Sequence, residues 1–562
     1  MERRVSIGHQ DFETVRMNQY FYIDKTSLIK EWWENGDGVT LITRPRRFGK
    51  TLNMSMVEKF FSIKYRNRDD LFEGLSVWQD EKYRELQGTY PVISLSFANI
   101  KEINYETAHQ KILQLLVNLY VENYFLRCSD VLTEKDRVFF DRVSVDMGDS
   151  DATLAIYQLS EFLHRYYGKR VIILLDEYDT PMQEAYVNGY WEELTAFFRG
   201  LFNAAFKTNP YLERAILTGI TRISRESIFS DLNNLKIVTT TSREYADCFG
   251  FTEAEVFGAL EEYGMSDEKE HVKRWYDGFT FGDMKDIYNP WSIINYLDTG
   301  ELSAYWANTS SNSLIGKLIQ EGSNDLKIDF EDLMQGKSVQ KIIDEQVTFS
   351  ELSEDESAVW SLLVASGYLK IDRHYFDSFS GERVYELSLT NMEVRLMFKK
   401  MIRGWFSKKG SEYNPFIRAL LKHDLKSMNA YMNSVALATI SYFDSGTKPS
   451  REEPERFYHG FVLGLIVELA GRYTVTSNRE SGFGRYDIVL EPLQKEEDAM
   501  IIEFKVFDPD EEKSLQDTVQ KALKQINDKD YAASLIARGI QEEHIRKYGF
   551  AFEGKRALIG MG

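Results

Sequence analysis

VTLITRPRRFGKT, residues 39–51, reads as a β-prone run, a basic turn and a helix start. Val39 to Thr43 are apolar or β-branched, and Gly49-Lys50-Thr51 opens the segment Leu52 to Phe61. A strand, a loop and a helix in that order can cradle phosphate. Gly49 lets backbone N–H groups approach phosphate oxygens, Lys50 carries a point charge to the terminal phosphates, and Thr51 offers a hydroxyl to Mg²⁺. The helix N-terminus then favours the anion. Such loops usually open on glycine five positions earlier, where this chain has Arg44, followed by Pro45, Arg46, Arg47 and Phe48. Gly-Lys-Thr also occurs at ordinary helix starts, so the downstream chain decides its meaning.

The run Lys169 to Asp179, KRVIILLDEYD, supplies that context. Consecutive aliphatic residues ending in two acids predict a strand buried on both faces, with carboxylates delivered at its C-terminal edge. Asp176 is placed to hold Mg²⁺, and Glu177 to orient or deprotonate an attacking water. A further strand is predicted over 92–97, between the loop and the acids. Another, Arg214 to Gly219, ends near Thr218, a candidate sensor of the γ-phosphate or the water. Beyond it Arg222 and Arg225 have three readings: a phosphate contact in cis, a contact in trans to a neighbouring subunit, or surface salt bridges.

At 562 residues the chain exceeds the size of one core, so several domains are expected. Hydrophobic residues at 43% and aromatics at 14% place it among globular proteins. Two cysteines, Cys128 and Cys248, exclude a disulfide framework and a four-thiolate zinc site, which fits a reducing compartment. The first residues lack a signal-peptide core and no run is long enough to span a membrane, so a cytoplasmic protein without membrane contact is expected. A net charge of -20 argues against a broadly basic nucleic-acid-binding surface and leaves a local groove open.

Four domains are expected: 1–250, 251–345, 346–410 and 411–562. Residues 252–297 read as helical, opening with Thr252 and Glu255 at capping-box spacing and forming a lid. The aromatic turns around Trp275 to Phe279 and Tyr288 to Pro290 are assigned to packing against the first domain, and the polar segment 324–350 to a connector. A helix over 355–366, a hairpin formed by 367–371 and 384–389, and a helix over 391–405 suggest a winged-helix-like module. Its last helix holds Arg395, Lys399, Lys400 and Arg403, with Lys408 and Lys409 beyond, either as a nucleic-acid-backbone site or as balance for acidic neighbours.

A second set of chemistry-bearing residues lies near the C-terminus. Asp487 opens one predicted strand, and Glu503-x-Lys505 ends the next. Alternation puts Glu503 and Lys505 on one face, and a hairpin brings Asp487 beside them. Two carboxylates can then hold Mg²⁺ while Lys505 positions or activates a water, as phosphodiester hydrolysis requires.

RPRRFGKT, VIILLDEYD, LTGITRIS with FSDLNNL, and YNPWS at Tyr288 to Ser292 resemble the bacterial and archaeal AAA-ATPase-like family, whose members commonly carry a C-terminal nuclease-like domain. The resemblance covers nearly the whole chain. Arg-Pro-Arg-Arg-Phe is the normal opening of the loop in that family, so the resemblance implies ATP binding with Arg44 in place of glycine. Asp487, Glu503 and Lys505 match the core motif of the PD-(D/E)XK nuclease superfamily, although no proline precedes Asp487. Glu468 and Glu480 compete for the place of a glutamate that many relatives carry on the first helix, and Gln525 is a candidate accessory residue.

The expected fold is α/β: a P-loop NTPase with a parallel sheet flanked by helices, a helical lid and winged-helix-like middle, and a restriction-endonuclease-like C-terminal domain. The expected function is an ATPase using ATP and Mg²⁺, whose nucleotide state regulates a nuclease acting on DNA or RNA. The alternative is a signalling or scaffold ATPase with a non-cleaving C-terminal binding module. A homo-oligomer would complete the site in trans, as an ATP-driven remodeller requires.

Overall fold

The computed structural model describes residues 3–221, 232–307, 323–343, 356–379, 381–406, 415–439, 472–477, 480–481, 484–485, 487–494, 497–509, 511–553 and 556–562, with a few single positions or pairs between them. The chain divides into two compact units, Met1–Gln320 with Ser338–Arg395, and Glu321–Lys337 with Leu396–Gly562.

The first unit is built on a parallel sheet of β1 (Val39–Thr43), β2 (Val92–Ser96), β3 (Val171–Asp176), β4 (Leu212–Gly219) and β5 (Leu235–Val238), in the order β2-β3-β4-β1-β5. Every residue of β1 and β3 is buried, because helices cover both faces of a parallel sheet and no position can afford to be polar towards water. β4 lies between the loop-bearing β1 and the acid-bearing β3, with Ile42 opposite Thr218 and Leu175 opposite Leu217. Thr43, Gly219 and Asp176 therefore end side by side. Helix α1 (Lys50–Phe61) follows β1, and α2 (Thr180–Asn188) follows β3.

Residues 252–297 are not continuously helical. Helices Glu253–Glu262, Lys269–Tyr276 and α3 (Pro290–Thr299) enclose a small antiparallel sheet of β6 (Phe251–Thr252), β7 (Phe279–Phe281) and β8 (Met284–Tyr288). Phe279 and Phe281 alternate with Thr280, so both rings face inward against Phe48 at centroid distances of 4.7 and 5.4 Å. The capping box of Thr252 and Glu255 is formed. Further on, helix Glu356–Ala365, strands β10 (Leu369–Asp377) and β11 (Glu382–Leu389), and helix α4 (Met392–Phe406) follow in the order read from the sequence. The segment read as a connector adds β9 (Val339–Ile342), which pairs with β11. Arg395, Lys399 and Lys400 lie on α4, whereas Lys408, Lys409 and the side chain of Arg403 fall outside the described residues.

The second unit contains β12 (Tyr473–Ser477), a short ribbon of β13 (Glu480–Ser481) and β14 (Gly484–Arg485), then β15 (Ile488–Pro492), β16 (Ala499–Val506), β17 (Ile545–Glu553) and β18 (Arg556–Met561). The main sheet runs β12-β15-β16-β17-β18, antiparallel except for β16 and β17. A parallel pair needs a crossover, and α6 (Leu515–Asp528) lies in it, on the face that carries Val489, Ala499 and Ile501. Ile488, Leu490, Met500, Ile502 and Phe504 fill the opposite face against helix Pro415–Leu421 and α5 (Leu425–Thr439). Among the described residues no helix is long and apolar enough to cross a membrane.

Candidate functional sites

The loop after β1 is shaped by two left-handed residues, Arg47 at φ 66° and Gly49 at φ 82°. Gly49 stands immediately before α1, and a Cβ there would meet nothing within 4 Å, so the space over the helix N-terminus is open. The Lys50 ammonium is buried beneath the loop and donates to the carbonyls of Arg44 at 2.9 Å and Pro45 at 2.8 Å. Burial pushes its pKa down, opposed by the nearby carboxylates of Glu177, Asp179 and Asp176.

Those carboxylates come from the end of β3. Asp176 is 4% exposed and accepts from the Thr51 hydroxyl at 2.8 Å and from the Thr218 hydroxyl at 2.5 Å, one on each oxygen. Burial raises its pKa while the two hydroxyls hold it down. Thr51, Asp176 and Thr218 thus form one contiguous polar group across α1, β3 and β4. Glu177 is left-handed at φ 51°. Its N–H points to the Thr218 hydroxyl at 3.4 Å, and its carboxylate accepts from the Thr180 hydroxyl at 3.1 Å.

The loop arginines differ in placement. Arg44 is fully buried and donates to the carbonyls of Thr43, Thr239, Glu244 and Tyr245 at 2.7–3.3 Å, with its guanidinium 4.6 Å from the Phe281 ring centroid. Burial lowers its pKa to about 10. It braces the loop against the 239–245 segment and faces away from the open space. Arg46 is exposed and donates to Gln183 at 3.1 Å, and Arg47, also exposed, lies 4.4 Å from the Trp291 ring centroid. Phe48 is buried in the β7 aromatic cluster and positions the loop from behind. Arg222 and Arg225 fall outside the described residues.

Two residues near this site carry no signal that sequence reading had used. Asp179, the last acid of DEYD, is fully buried and receives the N–H groups of Ile220 and Thr221 just after β4. Gln183, one helical turn further, joins Asp179 to Arg46. The i, i+4 spacing from Asp179 was the available clue.

In the second unit Glu503 and Lys505 project from one face of β16, towards α6. Glu503 is 1% exposed. One of its oxygens accepts from Gln525 on α6 and lies 3.5 Å from the Lys505 ammonium, while the other is buried without a hydrogen-bond partner. Asp487, one residue before β15, accepts from the Phe504 N–H at 2.7 Å. Desolvation, and for Glu503 also the charge of Asp487, raises the pKa of both acids. Gln525 also donates to the Tyr531 hydroxyl at 3.1 Å, which the sequence reading did not include. α6 approaches this closely because β17 has Gly549 opposite Glu503; a Cβ there would come 2.8 Å from the Val519 carbonyl oxygen. Two mutually repelling buried carboxylates, one with a vacant oxygen, suit a divalent cation. Glu468 and the side chain of Glu480 fall outside the described residues.

Comparison with known proteins agrees with both halves. Residues 6–229 match the family described as predicted AAA-ATPase, and residues 453–561 match the PD-(D/E)XK nuclease superfamily. A protein of Azotobacter chroococcum mcd 1, named only as an uncharacterized protein in the vnfD 5′ region, is 23% identical over 568 residues, spanning 99% of this chain and 98% of its own.

Proposed function

The chain joins an AAA-ATPase-like domain to a PD-(D/E)XK nuclease-superfamily domain, and from that premise we propose that it binds and hydrolyses ATP with Mg²⁺ and that its nucleotide state regulates metal-dependent cleavage of nucleic acid, DNA in the first instance. The observation that carries the ATPase half is the buried Asp176 holding the hydroxyls of Thr51 and Thr218 directly beside Lys50 and Glu177. Bound Mg²⁺ would supply charge neutralisation between the phosphates, with Thr51 and Asp176 as its protein-side partners.

Lys50 now donates to two loop carbonyls, which a phosphate oxygen outcompetes because its negative charge adds ion-pair attraction to the hydrogen bond from the ammonium. Glu177, held by Thr180, is the general base or water-orienting group, and Thr218 contacts both its N–H and Asp176. In the C-terminal domain Asp487 and Glu503 would hold the cation, and Lys505 would orient the attacking water.

The test is direct. The full chain is expected to hydrolyse ATP only with a divalent cation, and Lys50→Ala or Glu177→Gln should reduce turnover at least a hundredfold, with Glu177→Gln still binding ATP. Lys505→Ala should abolish cleavage in a panel of single- and double-stranded DNA and RNA with Mg²⁺ or Mn²⁺, with and without ATP. An absence of cleavage throughout the panel, with ATP turnover intact, would reassign the C-terminal domain to binding within an ATP-driven switch.

A further inference from the structure

Arg46, Gln183, Asp179 and the turn after β4 form an unbroken chain of hydrogen bonds. The Arg46 guanidinium donates to Gln183 Oε1 at 3.1 Å. Gln183 Nε2 donates to Asp179 Oδ2 at 3.0 Å, and that same oxygen accepts the N–H of Ile220, the N–H of Thr221 and the hydroxyl of Thr221, each at 2.9 Å. The orientation of the amide follows from its neighbours, since arginine only donates and an ionised carboxylate only accepts. Both ends matter to the nucleotide site: Arg46 lies in its loop, and Ile220 and Thr221 continue the strand that carries Thr218.

Asp179 is loaded asymmetrically. Four donors converge on Oδ2, while Oδ1 is buried without a hydrogen-bond partner. Gly219 makes this packing feasible, because a Cβ there would lie 2.7 Å from Oδ1. The carboxylate is therefore committed to the β4 exit and to Gln183. The first turn of α2 also contains Thr180, whose hydroxyl holds the Glu177 carboxylate. A displacement of Gln183 is thus shared with the group that holds Glu177 and with the backbone beyond Thr218.

We infer that Gln183 is a positioning residue that couples Arg46 in the loop to Glu177 and the β4 exit, so that engagement of Arg46 by the terminal phosphate of a nucleoside triphosphate sets the hydrolytic geometry. The inference rests on the nucleotide reading of this site. A guanidinium has donors to spare, so Arg46 can take a phosphate oxygen while keeping Gln183. A diphosphate, which is one phosphate shorter, leaves Arg46 with Gln183 alone.

Gln183→Met preserves length and removes both bonds. It is expected to bind Mg-ATP within threefold of the wild type while kcat falls at least tenfold. If Gln183 acts through Arg46, Arg46→Met combined with Gln183→Met should have the kcat of Arg46→Met alone. Hydrogen exchange supplies a readout independent of turnover: a non-hydrolysable ATP analogue should slow exchange of the Ile220 and Thr221 amides in the wild type relative to ADP, and that difference should vanish in Gln183→Met. Wild-type kcat in Gln183→Met, multiplicative effects in the double variant, or an unchanged exchange response would each overturn the coupling. A wild-type chain that binds no nucleotide would overturn the nucleotide reading and the coupling with it, an outcome visible in the binding measurement before any variant is compared.

Discussion

The guanidinium of Arg44 is surrounded by backbone carbonyls, and that of Arg46, two positions later, faces solvent and Gln183. Replacing Arg44 with methionine keeps most of the volume and removes the guanidinium from four carbonyls, of which those of Thr239 and Tyr245 keep the N–H groups of Ser242 and Cys248, so the cost is about 1–3 kcal/mol. Arg46→Met should change stability by less than about 0.5 kcal/mol and act on turnover instead. Urea unfolding of the two variants separates these effects. Glu393 makes a comparable prediction with a pH signature. It is buried, accepts from the Ser292 hydroxyl at 2.9 Å and the Trp306 N–H at 2.5 Å, and burial pushes its pKa up to about 7 from 4.5. The folded chain keeps a proton there that the unfolded chain releases. Its contribution to stability is fully present below pH 4.5 and is lost as pH rises through 7, on the order of 3 kcal/mol in total. Glu393→Gln should flatten the pH dependence of the unfolding midpoint between about pH 4.5 and 7, a change followed by thermal unfolding at each pH.

Strand β18 is one edge of the C-terminal sheet, and α5 covers it with two asparagines at i, i+4 spacing. Asn429 pairs with both the N–H and the carbonyl of Ile559, at 2.8 and 2.9 Å, and Asn433 does the same for Ala557, at 3.0 and 2.7 Å. A helix thus satisfies the outward-facing groups that an adjacent strand would otherwise take. Asn433→Ala should cost about 1–3 kcal/mol by stranding one donor and one acceptor. The double alanine variant should also self-associate, since an uncovered edge templates further strands. Light scattering during mild heating reads the second effect. Residues 252–297 read as continuously helical because the buried alternation of Phe279 and Phe281 is too short to stand out against the helical periodicity around it, and its partner strand is supplied by the fold.

The division of the chain into two units interleaves its segments. Residues 321–337 belong with the C-terminal sheet: the Gln335 side chain donates to the Val475 carbonyl at 2.7 Å, and Phe330 packs on Phe398 with ring centroids 4.8 Å apart. A fragment beginning at residue 411 therefore lacks part of its own core. It should unfold at a markedly lower temperature than a fragment beginning at 321, and differential scanning calorimetry of the two constitutes the test. Equal midpoints would show that residues 321–410 contribute nothing to the stability of the C-terminal fold.

The features legible in the chain alone are local and periodic. The buried runs of β1 and β3, the glycine before α1, the acids at the end of β3 and the alternation that puts Glu503 and Lys505 on one face follow from chain geometry over a few residues. The roles within those motifs belong to the tertiary structure. Arg44 could be told from Arg46 only once segment 239–245 was seen to close over the loop, from some 195 residues away. Asp179 and Gln183 became significant only when β4 came to lie between β1 and β3, and Tyr531 only when α6 crossed Gly549. The physical reason is common to all: hydrogen bonds to backbone groups distant in sequence leave no trace in composition or spacing, whereas burial and alternation do.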